Sequence, residues 1–163
     1  MDIAGRVALV TGGGVRVGRA LALGLGRAGA DVFVHYNRSS AGAEATAAVI
    51  AAGGTRSAIG SADLADPAVA PDLVAAATSA LGPVSILVNA ASGFPADTLA
   101  DVSIEGWQAT IDFTLAGPVF LTQAFAAALP ADAGGAVVNI TDVKTTTTPY
   151  RKHFSYMVAK GGI

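Results

Sequence analysis

Four short, almost unbroken apolar runs punctuate the chain: Val7–Val10 (VALV), Val32–Val34 (VFV), Ile86–Val88 (ILV) and Ala136–Ile140 (AVVNI). They are too short for helices, and continuous apolarity without alternation is what a strand covered on both faces requires. Alanine-rich segments of helical length lie between them. Val17, Leu21, Leu25 and Ala28 recur at helical spacing, which predicts one apolar stripe, with Gly29 placed to end that helix. Further helices are predicted over Ala41–Ala52, Pro71–Leu81, Ser103–Thr110 and Pro118–Leu129, with a weaker strand at Arg56–Ile59. Pro67 and Pro71 suit first helical turns. Strand alternating with helix predicts right-handed βαβ units in a parallel sheet covered by helices on both faces.

A chain of 163 residues, 52% hydrophobic and 13% charged, supports one core, and no repeat, charge block or linker divides it. The net charge of −2 offers no basic face for a phosphate backbone, so no nucleic-acid partner is expected. No uninterrupted apolar stretch approaches bilayer-spanning length, so no membrane partner is expected either. The absence of cysteine removes disulfides, thiolate metal sites and thiol catalysis. No metal site and a reducing, cytoplasmic location are the corresponding expectations.

The first apolar run leads into TGGGVRVG (Thr11–Gly18), and a predicted helix follows. Strand, glycine turn and helix start bring free backbone N–H groups and a positive helix end to one point, where a diphosphate can sit. Gly13 and Gly18 have Walker spacing, but Arg19 and Ala20 follow where lysine and serine or threonine are needed, which argues against a P-loop nucleotide hydrolase. Gly12, Arg16, Val17 and Gly18 are therefore candidate cofactor residues, although such glycines also suit a bare tight turn. The second strand adds a constraint. It ends in VHYNRSS (Val34–Ser40), with Tyr36, Asn37 and Arg38 where an NAD site places a carboxylate for the adenosine ribose. The Arg38 guanidinium and Ser39 hydroxyl, with Arg16 as a second cation, match a 2′-phosphate and so select NADP(H). Arg38 alone equally suits a solvated arginine; the loop and the missing acid favour the phosphate.

Near the C-terminus, YMVAK puts Tyr156 and Lys160 four residues apart on one helix face. A free phenol, with a pKa of about 10, exchanges protons sluggishly at neutral pH unless a cation favours phenolate. Lys160 is placed to supply that cation and has donors left over for ribose hydroxyls. Tyr36 and Tyr150 have no lysine four residues on.

Taken together, the chain resembles the short-chain dehydrogenase/reductase family over essentially its whole length. TGGGVRVG resembles that family's T-G-x-x-x-G-x-G loop, ADL (Ala62–Leu64) its adenine-contacting aspartate segment, and LVNAAS (Leu87–Ser92) its N-N-A-G motif. VVNITD resembles the strand leading to its catalytic serine, and YMVAK its Y-x-x-x-K. The resemblance implies an α/β fold with a Rossmann-type doubly wound parallel sheet of order 3-2-1-4-5, and hydride transfer between NAD(P) and a carbonyl, alcohol or imine. It further implies cofactor contacts at Asp63, Leu64, Asn89, Ala90, Ala91, Ser92, Tyr156 and Lys160.

Departures from the general pattern resemble the pteridine reductase branch: Arg16 for the loop's second glycine, HYNRS, the serine ending NAAS, and Asp142 where most members have serine. In that branch the aspartate and tyrosine act together on a pterin, and an aromatic residue resembling Phe94 stacks on its ring. Phe94 equally suits plain packing, and Asp142 a capped turn. Asp142 lies one residue further from Tyr156 than the family spacing, which places an insertion in the Thr145–Thr148 loop and Val143 at the nominal position. Thr114 falls where many members carry a helix asparagine that holds a relay water; its hydroxyl donates and accepts but offers no amide.

The implied protein is an NADPH-dependent reductase with Tyr156, Lys160, Asp142 and Thr114 as catalytic residues. Phe94 and Asp142 would face a small-molecule substrate, a pterin or another carbonyl or imine compound. The alternatives are a carbonyl or 3-oxoacyl-thioester reductase of the same family, and a non-catalytic NADP-binding module. Family members run on past the equivalent of Ile163 into elements that close the crevice and form oligomer interfaces. The expectation is thus a single dinucleotide-binding domain over residues 1–163, incomplete at its C-terminus, from a longer protein that forms a dimer or tetramer.

Overall fold

The computed structural model describes residues 2–163. Five strands, β1 (Val7–Val10), β2 (Asp31–Tyr36), β3 (Ser57–Ser61), β4 (Val84–Asn89) and β5 (Ala136–Asn139), form one sheet in the order β3-β2-β1-β4-β5. Every pairing is parallel, and Leu9 of β1 lies in register with Phe33 on one side and Leu87 on the other. This is the doubly wound order implied by the sequence. The helices are α1 (Arg16–Arg27), α2 (Ser40–Ala52), α3 (Ala70–Leu81), α4 (Ile104–Ile111), α5 (Gly117–Ala128) and α6 (Phe154–Gly162). A π-turn at Asp112–Ala116 joins α4 to α5, and Pro67 opens a 3₁₀ turn leading into α3.

The continuous apolarity of the central strands is explained by two cores. On one face Leu9, Phe33 and Leu87 pack with Leu73, Val74 and Ala77 of α3 and Leu121 and Phe125 of α5. On the other, Ala8, Val10, Val32, Val34, Ile86 and Val88 pack with Ala22 of α1 and Ala43 and Ile50 of α2. Leu9, Leu87 and Leu121 are fully buried, and each such side chain contributes about 1.5–3 kcal/mol relative to its exposed form.

Two expectations are corrected. The face of α1 turned inward is Gly18, Ala22 and Gly26, one residue round from the predicted stripe, and Val17 is left exposed. Small residues let the helix approach closely; Leu21 and Leu25 flank the contact. Gly29 ends the helix as predicted, at φ +89°, a left-handed conformation that glycine adopts without steric cost. The second correction concerns β5. Within the described residues β5 pairs only with β4, and Val137 and Val138 are exposed, belonging to neither core, so here the apolar run is not covered on both faces. The helical run Ile104–Ala128 holds an 18-residue window of mean hydropathy 1.3 and is long and apolar enough to cross a bilayer by those measures; here its Leu121 and Phe125 pack on the sheet.

Candidate active site

The chain leaves β1 toward β2 on one side and returns to β4 on the other, so the strand order reverses between β1 and β4. In such sheets ligands bind beyond the carboxyl ends of the strands at that point. A cavity of about 840 Å³ lies there, lined by residues that follow β1, β2, β4 and β5. Thr11 holds the two central strand ends together: its buried hydroxyl accepts the N–H groups of Ala90 (2.9 Å) and Ala91 (3.0 Å).

The glycine loop is shaped as the sequence suggests. A Cβ at Gly18 would lie 2.3 Å from the Gly12 carbonyl oxygen, so only glycine allows the helix to start against the loop. Val15, at the N-cap of α1, offers no capping side chain and no acidic residue occupies the first turn, which leaves a positive helix end facing the cavity. Arg16 takes φ +48°, the only non-glycine among the described residues in the left-handed region. It stands where the family loop has glycine, so its backbone keeps the conformation while its side chain adds a cation.

Beneath this loop lies His35 of β2, which is 1% exposed. Its Nδ1 accepts the Gly12 N–H (3.3 Å), so Nε2 carries the proton and donates to the Ala62 carbonyl (3.0 Å). Burial lowers its pKa, partly opposed by the Ala62 contact and by the charge of Asp63. The imidazole is therefore a neutral strut between the loop and the end of β3.

Tyr36, Asn37, Arg38 and Ser39 continue from β2 along the cavity wall, which Arg16 and Val17 also line. Arg16 and Arg38 are exposed, and the one ion pair among the described residues joins Arg56 to Asp31 elsewhere, so both guanidinium groups are uncompensated. Asp63 also lines the cavity and takes the Ala65 N–H (3.1 Å), whereas the Leu64 side chain is buried in the core. Ala90, Ala91 and Ser92 line the cavity; Asn89 does not. Its side-chain amide donates to Asn139 (2.8 Å) and Thr122 (3.2 Å), tying β4 to β5 and α5.

On the far side, the Tyr156 hydroxyl donates to Asp142 Oδ2 (2.8 Å), and Oδ1 takes the Lys144 N–H (2.8 Å). Asp142 caps a 3₁₀ turn at Val143–Thr145, in which Val143 is exposed. The expected acidification of the phenol by Lys160 is not what the geometry gives. Burial and the Asp142 carboxylate push the Tyr156 pKa well above the usual phenol value, while the Lys144 N–H and the Tyr156 hydroxyl help hold the Asp142 carboxyl low. Lys160 is 4% exposed and its Nζ donates to the Ile140 carbonyl (2.5 Å); burial lowers its pKa. Thr114 lies in the π-turn, fully buried, with a hydroxyl that has no partner, and it does not line the cavity.

Phe94 is half-exposed at the cavity mouth, edge-on to Tyr156 with ring centroids 4.8 Å apart. One of its faces is stacked on His153 at 3.6 Å. Thr11, His35, Asp97 and His153 were not among the candidates. A histidine inside the apolar run VFVHY was the one visible signal; the others acquire meaning only through partners distant in sequence.

Residues 6–163 match the short chain dehydrogenase family, and the chain belongs to it. It is 32% identical over 161 residues to an L-rhamnose 1-dehydrogenase (NAD(P)(+)) of Sphingomonas sp. strain SKA58, covering 98% of this chain and 63% of that protein. It is 35% identical over 139 residues to a 3-oxoacyl-(acyl-carrier-protein) reductase of Synechocystis sp., covering 85% and 56%. The crystal structure of FolM alternative dihydrofolate reductase 1 from Brucella canis, complexed with NADP, superposes with a TM-score of 0.92 at 34% identity, covering 99% of this chain and 65% of that one. The chain thus spans about six-tenths of the length of the relatives it matches.

Proposed function

We propose that this protein is an NADPH-dependent reductase of the short-chain dehydrogenase type that acts on a pterin-like imine. The observation that carries this is the Tyr156–Asp142 hydrogen bond at the cavity wall, beside the Phe94 ring. A serine at Asp142 would leave the site neutral; a carboxylate there can accept N–H groups from an aminopyrimidine-like ring while sharing the phenol proton. The NADP complex of the FolM structure supports the same reading.

The cavity fits a phosphorylated dinucleotide: the Gly18 contact leaves room only for backbone, and the α1 N-terminus and two free guanidinium groups face one space. Gly12, Val17 and Gly18 would hold the diphosphate, Arg16, Arg38 and Ser39 the 2′-phosphate, with Tyr36 and Asn37 beside them. Asp63 would contact the adenine, Ala90, Ala91 and Ser92 the middle of the molecule, and Lys160 the ribose, while Leu64, buried in the core, anchors the segment behind Asp63. When bound, NADPH supplies the hydride. Tyr156 gives its proton to the nitrogen next to the reduced carbon. Asp142 keeps that proton on the phenol until the nitrogen becomes basic enough to take it. Lys160, the buried cation of the cavity, compensates the phenolate left behind. The buried Thr114 hydroxyl has no partner and lies outside the cavity lining, so it takes no step in this scheme.

One observation favours a general carbonyl or 3-oxoacyl-thioester reductase instead: a Phe94 face is already stacked on His153. Coenzyme uptake and consumption with a dihydropterin and with an acetoacetyl thioester separate the two. The expected result is dihydropterin-dependent NADPH oxidation, with NADPH bound about 10- to 100-fold more tightly than NADH, the range for charge-assisted hydrogen bonds to one phosphate. Turnover of the thioester alone would move the assignment to the second reading, and folded protein that takes up neither coenzyme would overturn both.

A further inference from the structure

Helix α6, which carries Tyr156 and Lys160, begins without a cap of its own: His153 at its N-cap makes no side-chain hydrogen bond to the first turn. The cap comes from another part of the chain. The Asp97 carbonyl accepts the Phe154 N–H (3.2 Å), and the Asp97 carboxylate accepts the Ser155 N–H (3.1 Å) and the Ser155 hydroxyl. One residue thus satisfies the first two orphan donors of α6 and sets a negative charge at its positive end, the work an N-cap side chain normally does locally.

The same residue sits in the segment that carries Phe94. Asp97 pairs with His153 in a parallel bridge, its N–H donates to the Lys152 carbonyl (3.1 Å), and His153 Nδ1 donates to the Pro95 carbonyl (2.6 Å). That last bond orients the imidazole on which Phe94 stacks. Ser155 is fully buried and directly precedes Tyr156, so a displacement at Ser155 passes straight to the phenol.

We propose that Asp97 is a positioning residue that latches the Phe94 segment to the first turn of α6, holding substrate ring and proton donor as one unit. The latch rests on the reductase reading for its consequence, but its existence can be measured without turnover. Trp107, the single tryptophan, packs 5.7 Å from Phe154, so its fluorescence reports docking of that first turn.

The test compares Asp97→Ala, Asp97→Asn and Ser155→Ala in the full chain. In Asp97→Ala, amides 154–157 should exchange about tenfold faster and Trp107 emission should shift, as follows from loss of a helix cap. With a dihydropterin as substrate, kcat should fall by about tenfold or more from misplacement of the phenol, while the NADPH dissociation constant moves less than about twofold. Asp97→Asn retains one oxygen acceptor and should recover part of the protection and of kcat; Ser155→Ala should lie between it and the parent. If the parent turns over no substrate, the reductase reading fails, and faster exchange with a shifted Trp107 in Asp97→Ala still upholds the latch. Unchanged exchange and emission in Asp97→Ala would overturn it. So would NADPH affinity falling in step with kcat across all three variants, or, should Asp97→Ala not fold, parent-like exchange in both Asp97→Asn and Ser155→Ala.

Discussion

The cofactor half of the cleft is assembled from residues close together in sequence, Thr11–Gly18 after β1 and His35–Ser39 at the end of β2. The catalytic half draws Phe94, Asp97, Asp142 and Tyr156 from segments spread over the second half of the chain. The difference separates two kinds of information. A strand-to-helix turn is shaped by its own residues, so its chemistry is written in a contiguous motif. A convergent site is shaped by the register of distant segments, and no stretch of it carries the geometry alone. The same contrast divides the electrostatics: the first half presents uncompensated positive charge, whereas the second pairs a phenol with a carboxylate, the arrangement proposed above to move a proton.

The largest expected effect separates these halves outright. Tyr156→Phe removes the proton donor and keeps the ring against Phe94, so dihydropterin-dependent NADPH oxidation should fall by about 10²- to 10⁴-fold, the usual worth of a positioned acid. NADPH binding, followed by fluorescence, should stay near the parent value. Retention of the parent rate would remove Tyr156 from the mechanism.

Arg38→Ala reverses the pattern. It deletes one of the two free guanidinium groups, so NADPH affinity should fall by about 10- to 100-fold while NADH affinity holds. Equal losses for both coenzymes would mean that Arg38 shapes the loop and does not select the phosphate. Gly18→Ala tests the loop itself. Its Cβ would meet the Gly12 carbonyl carbon at 2.7 Å as well as the oxygen, and backbone cannot rotate away as a side chain can. A loss of about 1–3 kcal/mol in unfolding stability is expected from such overpacking, together with weakened uptake of both coenzymes. Parent-like denaturation and binding would show that the turn has slack the geometry does not suggest.

What was legible in the sequence follows the same division. VALV, VFV and ILV revealed their strands because both faces of the sheet are covered there; AVVNI looked the same and also forms a strand, but among the described residues its valines are exposed, since apolarity alone does not record what covers a strand. The α1 stripe was offset by one residue because glycine and alanine, which carry little apolar weight, form the face that packs. The glycine loop and the NRS turn could be read directly from their motifs. At the catalytic end Tyr156 and Asp142 could be named, yet the sign of the effect on the phenol could not. Proximity to Lys160 along the helix suggested acidification, whereas the fold turns that ammonium to the Ile140 carbonyl and brings the Asp142 carboxylate to the hydroxyl. Asp97 and Ser155, 58 residues apart, carry no signal until they meet.

His35 offers the smallest effect and joins the two sides of the comparison, because it is a titratable group inside the locally built half. Its neutral ring accepts from Gly12 and donates to Ala62, and burial holds its folded-state pKa below the ordinary 6.5. The unfolded chain therefore takes up a proton that the folded chain refuses. Stability from this group is fully present above pH 6.5 and declines as pH falls from there through the lowered folded-state value, with a slope of at most about 1.4 kcal/mol per pH unit for one proton. Protonation also converts Nδ1 from acceptor to donor facing the Gly12 N–H, so NADPH affinity should weaken over the same interval. His35→Gln keeps an acceptor and a donor without the titration, and its melting temperature and NADPH affinity should be flatter than the parent's as pH falls below 6.5. Parallel curves for the two proteins would mean that the acid sensitivity belongs to carboxylates elsewhere, and that the glycine loop does not depend on a neutral imidazole beneath it.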